Sequence, residues 1–409
     1  MKILGIHSDI CHLGGHTRAF LMFMDLFKAL GNKVIIVSRT HKETRATVDM
    51  PIIDQKTAKP LLLPVEVRAS FGLAHYRINQ LRRYQPVRNI LPTDITEQDI
   101  PVIYWGNRYL TPFPDEVKHM AEEADYVYSD TEMYVRLEDD MPIQQKHIQY
   151  VHFPSEGTPP VFGKEPERLW VNSIFTQSWV RIRWGFSIPP YHSLEDKYAV
   201  VRMPRQIYQA QVVNPPIYVE DYRNDRGFKD RYYDVVMFAR LGQDKFTVAD
   251  FLDKNFKLLT MGALSKVADM IPEGQKKEQP YRPPGKLQTN VTFNAIKNLL
   301  PNAKVYVHGK GFGETIPGIP SPPEHFGITI CEAMASGLPA VVPRAGGCWT
   351  DIAQYGKYCQ GYSTWDELKQ LIQKLTTDEA EWTKWHDLAL EGVKRYDFDK
   401  IKEQVKGLI

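Results

Sequence analysis

Several large classes of protein are excluded by what this sequence lacks. Its four cysteines, Cys11, Cys331, Cys348 and Cys359, show no C-x-x-C spacing, so neither a zinc ribbon nor a disulfide framework is expected, and the thiols read as reduced. No apolar run approaches the roughly 18 residues of a membrane span. The opening MKILGIHSD has no charged segment leading into an apolar one and reads as a strand rather than a secretory signal. A cytoplasmic protein is therefore expected, with peripheral contact to a membrane surface left open. Lysine plus arginine, 51, nearly balance aspartate plus glutamate, 49, and a net charge of +2 gives no mandate for nucleic acid. No G-x-G-x-x-G follows the first strand pattern, which argues against a dinucleotide-dependent dehydrogenase. The acidic trio Glu138, Asp139 and Asp140 sits in a polar turn, where solvation explains it, and neither a metal nor a cofactor is expected.

What is present is an alternation of short apolar runs with helical ones. At 409 residues, and about 150 residues per domain, the chain is expected to form two α/β domains. Residues 2–7 and 34–38 read as strands flanking a helix at about 19–30, a βαβ unit with Gly14 and Gly15 in its first turn, where absent Cβ atoms allow close approach of a ligand. Further strands are expected at 101–105, 126–129 and 148–152. Residues 169–180 read as a strand then a helix, with Asn172 and Ser173 as caps. The stretch 75–89, HYRINQLRRYQPVRN, fits a solvated helix face better than a lipid-facing one. VVNPPIYVEDY, residues 212–222, is a stiff connector, so domains of 1–215 and 216–392 are expected, followed by a C-terminal helical segment, 393–409. In the second domain, strands are expected at 233–238, 256–260 and 303–308. Residues 265–290 read as a Lys-, Pro- and Gln-rich surface excursion, and GKGFGETIPGIP, 309–320, as a flap.

The chemistry concentrates in SPPEHFGITICEAMASGLPAVVPRAGGCWT, residues 321–350. Gly327 opens an apolar helix over 328–335, Gly337 stops it, and 338–342 suits a buried strand. A helix N-terminus beside a glycine offers unpaired N–H groups and about half a positive charge, a seat for phosphate. Glu324 and Glu332 flank that seat as acceptors for hydroxyls, and phosphate plus hydroxyl recognition suggests a sugar nucleotide. Arg240 and Lys245, five positions apart across a turn, can aim a guanidinium and an ammonium at one diphosphate.

These same residues resemble the E-x7-E signature of retaining, family-4 type glycosyltransferases of the GT-B fold, here Glu324 and Glu332 followed by A-M-A-S-G-x-P. ARLGQDK matches the family's R-L-x-x-x-K, and VNSIFTQSW resembles its N-S-x-F-T segment. QYVHFP, residues 149–154, is similar to the histidine and proline loop of mannosyltransferases acting on lipid-linked glycans. The resemblance implies two Rossmann-like domains facing across a cleft and transfer of a hexose from a nucleoside-diphosphate sugar to a hydroxyl. It implies that Arg240 and Lys245 hold the leaving diphosphate, that Glu324 holds the donor sugar and Glu332 the ribose. It adds Gly14 and Gly15 on the phosphates, the Gly262 region on the base, His325, Phe326, Gly327 and Ile328 around the donor, and His152 on a sugar, although a structural role for that histidine remains open. Arg18 matches the family's arginine after the glycines, whereas His16 and Thr17 precede it and the family's usual acidic residue is not matched. The implied partners are a nucleotide-sugar donor and a glycan, lipid-linked or small-molecule acceptor, with no metal and no nucleic acid. The same fold also serves a sugar-nucleotide epimerase, a phosphorylase or a non-catalytic sugar-nucleotide-binding protein.

Overall fold

A computed structural model describes residues 1–7, 15–40, 52–53, 60–61, 73–77, 101–106, 115–130, 146–152, 167–185, 209–241, 243–264, 282–289, 291, 293–316 and 318–409. In the first half, β1 (Lys2–His7), α1 (Gly15–Ala29) and β2 (Lys33–Thr40) are followed by β3 (Leu73–Arg77), β4 (Pro101–Gly106), α2 (Asp115–Glu123), β5 (Tyr126–Ser129), β6 (His147–Val151), β7 (Arg168–Val171), α3 (Ile174–Gly185) and β8 (Gln211–Val212). The eight strands form one sheet in the order β8-β7-β6-β5-β1-β2-β4-β3, parallel throughout except for β3 against β4. The reversal of order falls between β1 and β5.

α1 is buried on nearly every side from Thr17 to Phe27, as expected of a helix with apolar residues all round. Its Phe23 meets Tyr150 with ring centroids 4.9 Å apart and Trp170 at 6.3 Å. β1 has a glycine at its centre because α1 presses on it there: a Cβ on Gly5 would lie 2.3 Å from Met24 Sδ.

The second half contains β9 (Tyr233–Leu241), α4 (Ala249–Asn255), β10 (Leu258–Leu264), β11 (Lys286–Thr289), α5 (Phe293–Leu299), β12 (Ala303–Val307), α6 (Ile328–Ala335), β13 (Ala340–Pro343) and β14 (Gln360–Tyr362). Three helices close the chain, α7 (Trp365–Thr377), α8 (Glu379–Val393) and α9 (Phe398–Lys406). Its six strands are all parallel in the order β11-β10-β9-β12-β13-β14, the doubly wound arrangement whose order reverses between β9 and β12.

The halves are tied at the connector. Ile217 donates its N–H to Tyr396 O at 2.7 Å, Phe398 returns one to Ile217 O at 2.9 Å, and Tyr218 stacks on Phe398 at 4.9 Å. α9 then lies against α1, and Gln404 donates to Val212 O at 2.8 Å. One buried cluster consequently contains Phe23 and Leu26 of α1 together with Phe326, Tyr396, Ile401 and Val405.

Four elements differ from the sequence reading. β9 runs on to Leu241, so Arg240 is a strand residue rather than part of the following turn. β10 extends to Leu264, which places Gly262 inside the strand, opposite Ala239 and Thr289. β11 lies within the stretch read as a surface excursion; its polar KLQT occupies a sheet edge, where one unpaired side tolerates such composition. Leu73–Arg77 is a strand paired with β4, not a helix face, because the sheet supplies the partner that local periodicity could not reveal. Residues 78–89, 138–140 and 265–281 lie outside the described set. Among the described residues, no helix is long and apolar enough to cross a membrane.

Candidate active site

In doubly wound sheets the crevice at the reversal of strand order, outside the carboxyl ends of the strands, is where ligands bind. In the second half, β9 leads there into Lys245 and β12 into His308 and Lys310. The loop 321–327 brings Glu324 between them. Lys245 Nζ donates to Glu324 Oε2 at 2.6 Å, His308 Nε2 lies 3.7 Å from the same oxygen, and Lys310 Nζ lies 3.8 Å from Oε1. Burial alone would raise the Glu324 carboxyl, but Lys245, Lys310 and His308 outweigh it and hold the group well below the usual carboxylate range. Burial lowers the Lys245 ammonium to about 8 despite Glu324, with Lys310 adding to the fall. His308 is lowered by burial to about 3, so its ring is neutral at physiological pH. Glu324 is ionised there.

The backbone around this carboxylate is held by glycines. Gly327 adopts φ 110° as the N-cap of α6, a conformation that disfavours side chains. Gly347 donates its N–H to Glu324 O at 2.7 Å, and a Cβ there would sit 1.9 Å from His325 O. His325 N–H donates to Glu324 Oε1 at 3.2 Å. Phe326 is buried against Tyr396, which anchors the entry to the helix, and Ile328 packs against the same core.

Glu332 occupies α6 facing the other half of the molecule. It is fully buried, and its Oε1 is contacted both by the Arg18 guanidinium of α1 and by the Tyr222 hydroxyl of the connector. Arg18 Nη2 also donates to Tyr222 Oη at 3.0 Å. Burial would lower the Arg18 pKa, but Glu332 and Tyr222 more than offset it, and the guanidinium stays charged. Glu332 Oε2 is buried without a hydrogen-bond partner among the described residues.

A second set of groups gathers at the strand-order reversal of the first half. Asp130, just past β5, has Oδ2 3.3 Å from His7 Nε2 at the end of β1 and 3.6 Å from His152 Nε2 just past β6. His16 stacks on His7 with centroids 5.4 Å apart and lies 6.2 Å from His152. Burial raises Asp130 to about 6, although His152 opposes the shift, and burial lowers His152 although Asp130 opposes that shift.

The two halves of the chain touch directly at His325 and Asp351. Ser173 Oγ donates to His325 O at 2.6 Å, Thr176 Oγ1 lies 3.1 Å from His325 Nδ1, and the Phe175 ring meets that of His325 at 5.2 Å. Asp351 of the second half accepts the N–H groups of Ile174 and Phe175 at 2.6 and 3.2 Å, adding to the cap that Ser173 Oγ makes with the Thr176 N–H at 2.9 Å.

Comparison with known proteins places this arrangement. Residues 286–390 match the family model Glycosyl transferases group 1. The chain aligns over 100% of its length with 99% of Anabaena HepE in complex with UDP, at 16% identity and a TM-score of 0.63. It aligns likewise with 98% of sucrose-phosphate synthase from Thermosynechococcus elongatus, at 12% identity and a TM-score of 0.58. A third similar structure is alpha-glucosyltransferase AGT in complex with UDP, at 12% identity, 100% and 99% coverage and a TM-score of 0.57. The fold is GT-B. No curated protein sequence matches the chain.

Within this GT-B fold, the residues singled out from sequence divide into three groups. Lys245, Glu324, His325, Phe326, Gly327 and Ile328 converge at the β9–β12 crevice, and His152 lies in the first half's cluster. Glu332 is one helix face away, with one oxygen engaged by Arg18 and Tyr222. Arg240 and Gly262 lie on the paired strands β9 and β10, one register position apart, Gly15 opens α1, and Gly14 and the Arg240 side chain lie outside what is described. The region 309–320, read as a flap, forms a pinned turn and a short hairpin, with Phe312 packed on Tyr362 at 4.9 Å and Trp365 at 4.8 Å. His7, Asp130, His308 and Lys310 were missed. Their available signal is position: each falls at, or within three residues of, the carboxyl end of an apolar strand pattern. Among the described residues, no group of three or more His, Cys, Asp or Glu is arranged to hold a metal ion.

Proposed function

We propose that this GT-B protein is a retaining glycosyltransferase that moves a hexose from a nucleoside-diphosphate sugar to an acceptor hydroxyl. The observation that carries the reading is the ionised Glu324 paired with Lys245 at the β9–β12 crevice, beside the glycine-capped start of α6. The match of residues 286–390 to group 1 glycosyltransferases covers Glu324, Glu332 and Lys310, and the similar HepE and AGT structures are complexes with UDP.

The difficult step is departure of the diphosphate while the anomeric carbon becomes cation-like. Lys245, with Arg240 and the α6 N-terminus, would stabilise the charge growing on the phosphate oxygens, and fixed charges in a partly buried site do this without reorganisation. Glu324, kept ionised, would accept hydrogen bonds from the hydroxyls of the donor sugar. The unpartnered Oε2 of Glu332 suits a ribose hydroxyl. His152 and Asp130 approach from the opposite half, on the side where an acceptor or the far edge of the sugar would lie. Side-chain cations supply the clamp, so the reading invokes no metal.

The test is calorimetric titration with UDP, GDP and ADP, then product analysis with the cognate nucleotide-glucose or nucleotide-mannose and a panel of glycan, lipid-linked and small-molecule acceptors. Binding of a nucleoside diphosphate and formation of an α-linked product from the α-linked donor are expected. Conversion of the nucleotide sugar in the absence of any acceptor to its epimer would sink transfer in favour of epimerisation.

A further inference from the structure

We propose that Lys310, assisted by His308, forms an oxyanion subsite of this crevice, taking an anionic oxygen on the donor beside Glu324. The inference rests on the sugar-nucleotide reading for the identity of the donor, but not for the presence of an anion site.

Charge is the first reason. The Glu324 carboxylate faces the ammoniums of both Lys245 and Lys310, with Asp244 also acting on Lys245 and the neutral His308 adding no charge. Lys245 satisfies Glu324 at 2.6 Å, whereas Lys310 stands 3.8 Å away, beyond hydrogen-bond reach, with its side chain 16% exposed. Two like charges in a half-buried site repel, and an arriving anion relieves that repulsion.

Placement is the second. The 309–311 turn is fixed: Thr247 Oγ1 donates to Gly309 O at 2.7 Å, and Gly311 N–H donates to Ser321 Oγ at 3.0 Å. Gly311 takes φ 99°, and a Cβ there would lie 3.4 Å from Pro323 Cα, so the turn packs directly on the loop carrying Glu324. Lys310 thus projects from the carboxyl end of β12, one side of the strand-order reversal, while Lys245 projects from the other.

His308 is the third. It is 3% exposed, its Nε2 has no hydrogen-bond partner among the described residues, and that nitrogen lies 3.7 Å from Glu324 Oε2. Tyr306 Oη lies 3.3 Å from Nδ1 and also 3.3 Å from Phe238 O and 2.9 Å from Thr329 Oγ1; in the tautomer whose proton is on Nε2, that proton is offered to the pocket. An ammonium and an imidazole N–H converging beside one carboxylate suit an oxygen that is negative. Two sources share that chemistry: a diphosphate oxygen, and an acidic group on the transferred sugar.

Titration of wild type, Lys310→Met and Lys310→Arg with inorganic pyrophosphate, UDP, UDP-glucose and UDP-glucuronate distinguishes them, with thermal melts confirming that the variants are folded. Lys310→Met is expected to weaken pyrophosphate and UDP about tenfold or more, as loss of a hydrogen bond to a charged group does, with Lys310→Arg retaining most of the affinity. Weakening confined to UDP-glucuronate supports the subsite and moves the anion to the sugar. Affinities for all four probes within twofold of wild type in Lys310→Met would overturn it. Lys310-dependent pyrophosphate binding without binding of any nucleoside diphosphate would reject the sugar-nucleotide reading and leave the subsite standing; a wild type that binds none of the probes would reject both.

Discussion

At the scale of single residues, the two glutamates of the signature have different surroundings and therefore different sensitivities. Glu332 is a fully buried carboxylate whose neutralisation depends on Arg18 and Tyr222. Arg18→Met leaves that charge buried, and a loss of about 3–5 kcal/mol in urea unfolding is expected, with the Arg18→Met/Glu332→Gln double variant recovering part of it. Asp130 behaves oppositely to the usual carboxylate. Its folded pKa, about 6, lies above the ordinary 3.8, so its contribution to stability is present below about pH 4 and is lost as pH rises through 6. Between pH 4 and 6 the stability of wild type relative to Asp130→Asn is therefore expected to fall, measured by urea unfolding at each pH. Neither effect was readable from sequence, because Arg18 and Asp130 acquire their partners only when distant strands and helices are brought together. Glu324 itself was legible, since its neighbours in the chain already announced a helix start.

At the scale of elements, α6 shows how local chemistry sets a site. Its bounds, Ile328–Ala335, follow from an apolar run between two glycines, and both glycines adopt positive φ. Gly327→Ala would place a Cβ 2.6 Å from Ile330 Cδ1 in a left-handed conformation, and a loss of about 1–3 kcal/mol is expected in thermal unfolding, with weaker nucleotide binding. α3 illustrates the opposite case. Asn172 and Ser173 were legible as caps, and Ser173 Oγ does accept the Thr176 N–H at 2.9 Å, yet the N–H groups of Ile174 and Phe175 are taken by Asp351 in the other half. Asp351→Ala is expected to cost about 0.5–2 kcal/mol and to speed amide exchange at Ile174 and Phe175, whereas an ordinary internal cap would leave the contact between halves unchanged.

At the scale of the whole molecule, the core that includes α1, α6 and α9 joins both Rossmann-like halves. The chain is expected to unfold in one calorimetric transition. Removal of residues 398–409 uncovers α1 and frees Ile217 from Phe398, and should lower the melting temperature and split that transition. Strands such as Tyr126–Ser129 and the E-x7-E helix were determined by the sequence alone, through apolar runs, glycine stops and a spacing that keeps two carboxylates near one helix. The edge strand Lys286–Thr289 was not, because a polar segment becomes a strand only when a neighbouring strand supplies its hydrogen bonds. The composition of the site was likewise left to the tertiary structure. Lys245, His308 and Lys310 surround Glu324 only because parallel strands β9 and β12, separated in the chain but adjacent in the sheet, deliver their carboxyl ends to one crevice. Charge and burial at that meeting point, which no linear spacing encodes, keep Glu324 ionised and set Lys310 beside it, beyond hydrogen-bond reach.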